Sequence, residues 1–120
     1  MIVLKGKPQS TNHLYGHHSR GVYMTAEGKN TKIDYQWQAK MQWKKPMIQN
    51  EIELNIRLYF PDGRRRDWDN WHKISMDSLS GIVWKDDQQI RKATVEKLID
   101  KTSPRIEIEV EESNSSIKPF

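Results

Sequence analysis

The segment from Glu51 to Phe60 alternates between polar and apolar side chains. A period of two residues is the period of a β-strand, so one face is predicted to pack against a core and the other to face water. The turn sequence Pro61-Asp62-Gly63 ends this strand. Any fold for this chain must therefore contain a sheet that is covered on one face. The residues predicted to point inward are Ile52, Leu54, Ile56, Leu58 and Phe60.

Two segments have the spacing of helices. The first runs from Ala26 to Lys45, contains no proline, repeats apolar residues at positions 33, 37 and 41, and ends before Pro46. The second runs from about Trp68 to Ser80 and has Gly81 as its C-terminal stop. The residues predicted to face the core from this second helix are Trp68, Trp71, Ile74, Ser75 and Leu79.

The remaining elements are predicted to be strands and loops. Residues 8–20 are rich in Ser, Asn, His and Gly without periodicity, which indicates an exposed loop between strands at Met1–Leu4 and Gly21–Thr25. Ile90–Ile99 and Arg105–Val110 have strand patterns and are candidates for a hairpin. The predicted order is β-β-α-β-α-β-β, which is an α+β domain with a mixed sheet and two main helices.

The size of the chain limits it to one core. It has 120 residues, of which 35% are hydrophobic, and we expect a single domain over residues 1–112 with a flexible tail at 113–120. A small core leaves a thin margin of stability. The five tryptophans and four tyrosines therefore favour a homodimer that buries further aromatic surface.

Composition excludes several classes of protein. The absence of cysteine excludes disulfides, thiolate zinc sites and cysteine nucleophiles. No apolar run is long enough to span a bilayer, so we expect a cytoplasmic protein that does not contact membranes. Lys and Arg outnumber Asp and Glu by 20 to 16, giving a net charge of +4, and this balance suits a polyanionic partner such as DNA.

Two aspartates, Asp67 and Asp69, come directly after the run Arg64-Arg65-Arg66. On an extended backbone both carboxylates point to the same side, where they repel each other unless a cation lies between them. Mg²⁺ is bound by one or two carboxylates together with waters and substrate phosphate oxygens. The arginines are suited to holding phosphates beside such an ion through forked hydrogen bonds.

The same residues also have structural interpretations. Asp67 or Asp69 is a candidate cap for the second helix, whose positive end favours a carboxylate. Lys73 lies one helical turn after Asp69, and Asp77 lies one turn after Lys73. These charges are alternatively surface ion pairs worth about 0.5 kcal/mol each.

Other candidate ligands have weaker patterns. The pair Asp86-Asp87 has the composition of a turn, and it becomes part of a metal site only if the fold returns it to the acidic residues upstream. His13, His17 and His18 lack the spacing of a metal site, which favours exposure or contact with a DNA backbone. The spacing of Trp68 and Trp71 favours a core or interface role over stacking on unpaired bases.

One stretch of the sequence resembles a known family. The sequence Pro61-Asp-Gly-Arg-Arg-Arg-Asp-Trp-Asp-Asn-Trp-His-Lys73, followed by Asp77 and by Trp84-Lys-Asp-Asp87, is similar to the signature of the RusA family of Holliday junction resolvases. The likeness extends from the N-terminal region to about residue 91. In the N-terminal region it rests on Pro8, Ser10, Asn12, Tyr15 and Thr25-Ala-Glu-Gly28.

The resemblance implies a homodimeric, Mg²⁺-dependent endonuclease that cuts four-way DNA junctions by paired symmetric nicks, with Mn²⁺ as an alternative ion. It assigns metal binding to Asp67, Asp69 and Asp87, and a base-like or charge-stabilising role to Lys73. The connection from Asp77 to Asp87 is one residue shorter than the family pattern, so Asp86 remains an alternative third ligand. The predicted DNA contacts are Arg64, Arg65, Arg66, Asn12 and Lys73.

Two other functions are compatible with the sequence. A catalytically inactive DNA-binding protein of the same fold would keep the basic residues and use the acidic cluster structurally. A protein-interaction module with a basic surface would show no salt-sensitive preference for branched DNA. Nicking of a four-way junction with and without Mg²⁺ separates these alternatives from the enzyme.

Overall fold

The structure is a computed structural model that describes residues 1–113. The predicted tail lies outside the described residues apart from Ser113, and no helix in the described part is long and apolar enough to cross a membrane. The elements in chain order are β1 (Ile2–Lys5), α1 (Thr11–Leu14), β2 (Tyr15–His18), β3 (Gly21–Met24), α2 (Ala26–Gln42), β4 (Ile52–Phe60), α3 (Lys73–Leu79), a 3₁₀ turn (Asp87–Gln89), β5 (Ile90–Ile99) and β6 (Arg105–Glu112).

Strand β4 lies inside a four-stranded mixed sheet with the order β1-β6-β4-β5. It pairs in parallel with β5 and antiparallel with β6. The predicted alternation is confirmed, because all five predicted inward residues of β4 are buried. On the opposite face Arg57 pairs with Glu107 and Glu109 at 3.1 and 3.2 Å. The α+β class, the mixed sheet and the single domain follow from this arrangement.

The predicted hairpin between β5 and β6 is wrong, because both strands pair with β4 and lie on either side of it. The β4-α3-β5 connection is a crossover, which makes β5 parallel to β4 and leaves the other edge of β4 for β6. Strands lie about 4.8 Å apart, so residues 100–104 are long enough to pass over one strand. Asp100 holds this turn through an ion pair with Arg105 at 2.7 Å.

Helix α2 is confirmed, and it ends at Gln42 rather than Lys45. The apolar residues that identify it are not the ones it buries. Tyr35 and Ala39 pack into the core, whereas the 33, 37 and 41 positions face outward. Two glutamines on the inner side bind the free edge of β1, with Gln42 Oε1 accepting from the Val3 amide at 2.8 Å and Gln38 Oε1 accepting from the Lys5 amide at 2.7 Å. These side chains cover an otherwise unpaired strand edge.

The loop predicted at residues 8–20 is wrong in part, because this stretch contains the one-turn helix α1 and strand β2. Strand β2 pairs with β3 in a separate two-stranded sheet. A single helical turn is too short to produce a visible period, and Ser10, which suggested a loop, is the N-cap of α1 and accepts from the Asn12 amide. The observed order is therefore β-α-β-β-α-β-α-β-β.

The second helix is shorter than predicted. It begins at Lys73 rather than near Trp68, and residues 68–72 form turns. Its N-cap is His72, which makes no side-chain capping hydrogen bond, so the interpretation of Asp67 or Asp69 as the cap is wrong. The predicted stop is confirmed, because the helix ends at Leu79 and Gly81 has a φ of 91°, which glycine adopts without steric cost.

The contact between α1 and α2 requires a glycine at position 28. A Cβ on Gly28 would lie 2.2 Å from the Leu14 carbonyl oxygen. Thr25 caps α2 by accepting from the Gly28 amide at 3.0 Å, and its own amide donates to Leu14 O at 2.9 Å. These contacts fix Leu14, and with it the start of β2, against the first turn of α2.

We predict that Gly28→Ala lowers the free energy of unfolding. Replacing glycine by alanine in a helix normally stabilises it by about 1 kcal/mol, but a clash with a backbone oxygen costs about 1–3 kcal/mol. We expect the clash to dominate. Urea denaturation measures the difference. Gly63→Ala is the control, because its Cβ would meet only the terminal methyl of Ile99 at 3.3 Å, and an unchanged Gly28→Ala protein would contradict this account of the contact.

Candidate active site

Residues 61–72, here called the acidic segment, join β4 to α3 and carry the first two predicted metal ligands. Asp67 and Asp69 are both exposed. Within the described residues, neither carboxylate accepts a hydrogen bond or forms an ion pair, although three arginines precede them. Neither residue caps α3, so the described part of the chain gives neither carboxylate a hydrogen-bonding or ion-pairing role.

The acidic segment is fastened to the edge of the sheet. The Trp68 indole Nε1 donates to the Val95 carbonyl of β5 at 2.8 Å, and Lys97 Nζ donates to the Arg66 carbonyl at 2.5 Å. Trp68 is therefore not a core residue, since it is 53% exposed while its Nε1 is bound to the edge of the sheet. Trp71 packs its ring edge-on against Phe60 at 5.2 Å between centroids. The two tryptophans hold the backbone on either side of Asp69.

The three arginines differ in environment. Arg66 has a side chain that is only 12% exposed, pairs with Asp62 Oδ1 at 2.9 Å and lies over the Phe60 ring at 4.2 Å. Arg64 is 83% exposed, with Asp62 3.7 Å away. Arg65 is exposed. Two of the three guanidinium groups are therefore accessible to a ligand, whereas the third is packed into the base of the segment.

The Asp62 carboxylate organises the start of the acidic segment. It accepts from the Arg64 amide at 3.1 Å, and this bond, together with the charges of Arg66 and Arg64, lowers the pKa of Asp62. The carboxylate therefore keeps its charge to lower pH than an isolated aspartate. The Arg66 guanidinium also donates to the Asp62 carbonyl at 3.0 Å, which closes the turn after β4.

The N-terminal segment is bound to the acidic segment through Asn70. The Asn70 side-chain amide donates to Ser10 Oγ at 2.8 Å, and the Asn70 backbone carbonyl accepts from the Thr11 amide at 2.8 Å. This places α1 beside Asp69. Asn12, one of the predicted DNA contacts, lies exposed on α1 next to these bonds.

Lys73 begins α3 and forms a cluster with two other residues. Its ammonium lies 3.3 Å from Asp77 Oδ2 and 4.9 Å from the centre of the Tyr15 ring. The Tyr15 hydroxyl donates to the same Asp77 oxygen. Burial, together with the hydrogen bond to Asp77 and its charge, raises the pKa of Tyr15 above its usual value, so the phenol keeps its proton at physiological pH. Of the two ion pairs considered as a structural alternative for Lys73, the pair with Asp77 is present, whereas Asp69 forms no ion pair within residues 1–113.

The two adjacent aspartates after Trp84 have different roles. Asp86 caps the 3₁₀ turn by accepting from the Gln88 amide, and the Gln89 side chain completes a capping box. Asp87 accepts from the indole of the buried Trp84 at 2.9 Å through one oxygen. Its carboxylate is exposed, so the second oxygen is accessible. Asp86 is also exposed and uses Oδ1 for its capping bond, so both carboxylates keep an oxygen that is accessible to a metal ion.

The three predicted ligands lie on two separate segments. Asp67 and Asp69 belong to the acidic segment and Asp87 to the 3₁₀ turn before β5. Within residues 1–113, no three His, Asp or Glu side chains stand together in a geometry that could hold one metal ion. The N-terminal histidines are included in this finding. Mg²⁺ is commonly held by only one or two carboxylates with waters and phosphates, so an assembled three-carboxylate cage is not a requirement for it.

A groove lies between the N-terminal segment and the arginine run. It has a volume of about 470 Å³, and its lining includes Lys7 and His13 from the N-terminal segment, Arg64 and Arg65 from the arginine run, and Glu27. We call it the basic groove. Its cationic walls suit a phosphate-bearing ligand.

His72, at the start of α3, differs from the exposed histidines. Burial lowers its pKa, while the nearby Asp69 acts in the opposite direction. The effect of burial is the larger one, so the lowered pKa favours the neutral imidazole at pH 7. Its Nδ1 is buried without a hydrogen-bond partner in the described part of the chain, as is the Trp71 Nε1.

The sequence did not predict the two contacts that join the N-terminal segment to the site, namely Ser10 with Asn70 and Tyr15 with Asp77. Each is separated by about sixty positions from its partner, and no local pattern signals such a contact. All four residues belong to the motifs that resemble the RusA family. Those motifs mark the positions as important but do not indicate which residues they contact.

Comparison with known proteins identifies the class of this protein as an endodeoxyribonuclease. The profile of the family described as Endodeoxyribonuclease RusA matches residues 5–111, which is most of the chain and includes every candidate site residue. The chain belongs to this family.

Individual relatives agree with the family match. A crossover junction endodeoxyribonuclease of Enterobacteria phage 82 is 29% identical over 106 residues, covering 88% of each chain. Proteins with the same description from Escherichia coli strain K12 and from Shigella sonnei strain Ss046 are 28% identical over 106 residues, again covering 88% of each chain. The similarity thus spans nearly the whole domain.

The arginine environments lead to a prediction about stability. Arg66→Ala should lower the free energy of unfolding by about 1–3 kcal/mol, because it removes stacking on Phe60 and leaves the Asp62 carbonyl without its donor. Arg65→Ala should change it by less than about 0.5 kcal/mol, as expected for an exposed residue. Thermal and urea denaturation of both variants test this. Equal effects would contradict the distinction between a packed and an accessible arginine.

Proposed function

We propose that this protein resolves four-way DNA junctions as a Mg²⁺-dependent endonuclease, by paired symmetric hydrolysis of phosphodiester bonds in DNA recombination and repair. The observation that carries the proposal is the pair of exposed carboxylates, Asp67 and Asp69, which accept no hydrogen bond and form no ion pair within residues 1–113 and lie beside the accessible Arg64 and Arg65. The relatives described as crossover junction endodeoxyribonucleases support the choice of substrate. A cytoplasmic location is consistent with this substrate.

The carboxylates fit a hard divalent cation. Asp67, Asp69 and Asp87 would hold Mg²⁺, and Mn²⁺ would be an alternative ion, because anionic oxygens are the ligands both prefer. When bound, the ion supplies polarisation of the scissile phosphate and a lowered pKa for the attacking water. Asp87 is preferred over Asp86 as the third ligand, because the Asp86 carboxylate fixes the backbone of the 3₁₀ turn as its cap, whereas the Asp87 carboxylate contacts a side chain.

The basic residues bind and orient the DNA. Arg64 and Arg65 offer forked donors to phosphate oxygens along the basic groove, and Asn12 offers an amide on α1. Lys73 presents an ammonium that is about half exposed, suited to offsetting charge that gathers on the phosphate in the transition state. Arg66 contributes to binding through the position of the acidic segment, because its own guanidinium is packed against Phe60.

The runner-up is a catalytically inactive DNA-binding protein of the same fold. Both functions predict junction binding that weakens as salt rises. Only the enzyme predicts nicks that depend on a divalent ion. Incubation of the purified protein with an end-labelled four-way junction, with Mg²⁺ and with EDTA, separates the two. Symmetric nicks that appear only with Mg²⁺ support the proposal, and binding without nicking supports the runner-up.

We predict that Asp67→Asn, Asp69→Asn and Asp87→Asn each abolish Mg²⁺-dependent nicking while keeping or improving junction affinity. Loss of one anionic ligand weakens the binding of a hard cation. Loss of one negative charge beside incoming phosphates reduces repulsion. Single-turnover nicking and gel-shift titration measure the two effects separately.

Asp86→Asn is the matched control for these variants. Asparagine is as good an N-cap as aspartate, so the 3₁₀ turn should survive and cleavage should remain near the wild-type rate. An inactive Asp86→Asn with an active Asp87→Asn would move the third ligand by one residue. Normal cleavage by all four variants would place the metal site elsewhere.

We also propose that the protein acts as a homodimer, because symmetric nicks in opposed strands require two identical sites related by a two-fold axis. The contact proposed for the second copy is the outer face of α2, called here the apolar stripe. It consists of Ile33, Trp37 and Met41, which are 54%, 65% and 70% exposed. Three large neighbouring side chains left exposed on one helix mark an interaction surface.

The apolar stripe has the symmetry that a second copy requires. Ile33 and Met41 are each four positions from Trp37, so two antiparallel helices crossing at Trp37 bring Ile33 of one copy to Met41 of the other. The same pairing sets Asp34 opposite Lys40, which gives opposite charges on both sides of the axis. Self-complementary apolar and charged contacts favour a second copy over an unrelated partner.

We predict that Trp37→Glu converts the dimer to a monomer at micromolar concentration, because it places two carboxylates at the centre of the interface. Sedimentation velocity measures the change. Gln36→Glu, which also adds one negative charge to α2 but lies about 100° around the helix from Trp37, is the charge-matched control and should remain dimeric. A dimeric Trp37→Glu protein would assign the dimer contact to another surface.

A further inference from the structure

Lys73 is held from two sides by residues that have no role in the proposed mechanism. Asp77, one turn along α3, accepts from its ammonium at 3.3 Å. Tyr15, at the start of β2, lies beneath the same ammonium with its ring centre 4.9 Å away. Tyr15 and Asp77 are joined by a hydrogen bond between the phenol and the shared carboxylate oxygen.

We propose that Tyr15 and Asp77 are positioning residues that hold the Lys73 ammonium toward the scissile phosphate. The proposal rests on the proposed function, since it assigns them an effect only through Lys73. Neither residue contacts the DNA or the metal in this account. Their contribution is to reduce the number of positions that a long, flexible side chain can take.

Tyr15 is restrained by burial and by hydrogen bonds to the backbone of the residue before it. Tyr15 is 8% exposed, and the residue before it is clamped by Thr25, whose amide and hydroxyl both donate to the Leu14 carbonyl, at 2.9 and 3.1 Å. Gly28 allows this close approach. The backbone that carries the phenol is therefore fixed by the capped end of α2, through contacts that lie outside α3.

Asp77 links Tyr15 to Lys73, because its Oδ2 accepts a hydrogen bond from each of them. Its carboxylate would be an ordinary surface partner if the lysine were its only contact, because an exposed pair spaced by four residues leaves both side chains mobile. Here Asp77 is 26% exposed and its Oδ2 is shared between a buried donor and Lys73. A carboxylate restrained by a second donor restrains the ammonium in turn.

The arrangement leaves Lys73 able to act on a substrate. An ammonium carries three donors, and one of them is directed to Asp77. The side chain is 52% exposed, so the remaining donors are accessible to a phosphate. A donor that is already oriented needs little reorganisation when charge develops on the phosphate.

The test compares Tyr15→Phe and Asp77→Asn with Lys73→Ala. Under single-turnover conditions with saturating junction and Mg²⁺, Lys73→Ala should slow cleavage by about 100-fold. The two positioning variants should slow it by about 10- to 100-fold, the scale of a misplaced catalytic group. Junction affinity should stay the same or rise, so the loss appears in the rate and not in the dissociation constant.

Double variants show whether the two residues act through Lys73. Tyr15→Phe and Asp77→Asn should each cause little further loss when Lys73 is already alanine, because residues that act as a unit have non-additive effects. A merely structural role would lower the rate by the same factor in both backgrounds. Asp77→Glu, which keeps the charge on a longer side chain, is expected to recover part of the rate.

Two matched controls remove the same groups elsewhere. Tyr35→Phe removes a phenol from a residue that is 2% exposed, and Asp100→Asn removes a carboxylate paired with Arg105 at 2.7 Å. Both should cleave at the wild-type rate. Thermal denaturation of every variant confirms that the rates are compared between folded proteins.

The outcomes separate this proposal from the proposed function. If the wild-type protein does not nick the junction with Mg²⁺, the proposed function is wrong and the positioning role falls with it. If the wild type nicks and Lys73→Ala is slow, but Tyr15→Phe and Asp77→Asn cleave normally, only the positioning role is overturned. Equal losses in the wild-type and Lys73→Ala backgrounds overturn it as well.

Discussion

The pairing of β4 with a neighbour on each edge is the constraint on which the rest of the structure depends. Its apolar face is buried, and its polar face carries the ion pairs of Arg57. Because β5 must run parallel beside it, the chain has to cross the sheet between them. That crossing consists of the acidic segment, α3 and the 3₁₀ turn. The connection required by the sheet is therefore the part of the chain that carries all the candidate metal ligands.

The N-terminal segment is the second half of the site. Asn70 binds α1 through Ser10 and Thr11, and Asp77 binds the start of β2 through Tyr15. These contacts join parts of the chain that are about sixty positions apart in the sequence. They also explain why the family-like motifs at the two places occur together. A basic groove forms along the contact, and the DNA proposed as substrate would touch both halves.

The sequence predicted the elements whose side chains repeat over several turns or strand residues, such as β4 and α2. It failed for α1, which is one turn long, and for the start of α3, where contacts of Trp68 and Asn70 with distant residues replace helical bonds. It placed Lys73 beside Asp77 because a helix fixes that spacing. It treated the three arginines alike, since nothing local distinguishes Arg66, which stacks on Phe60, from its neighbours.

By itself the sequence determined the residue types of the site, the strand that anchors the sheet and the membership in the family suggested by the Arg64–Lys73 motif. These properties depend on composition and on contacts within a few positions. Only the tertiary structure decided that β5 and β6 lie on opposite sides of β4, that Asp86 is a cap while Asp87 contacts the Trp84 indole, and that Tyr15 reaches Asp77. The physical reason is that each of these depends on groups far apart in the chain, whose meeting is set by packing of the whole domain.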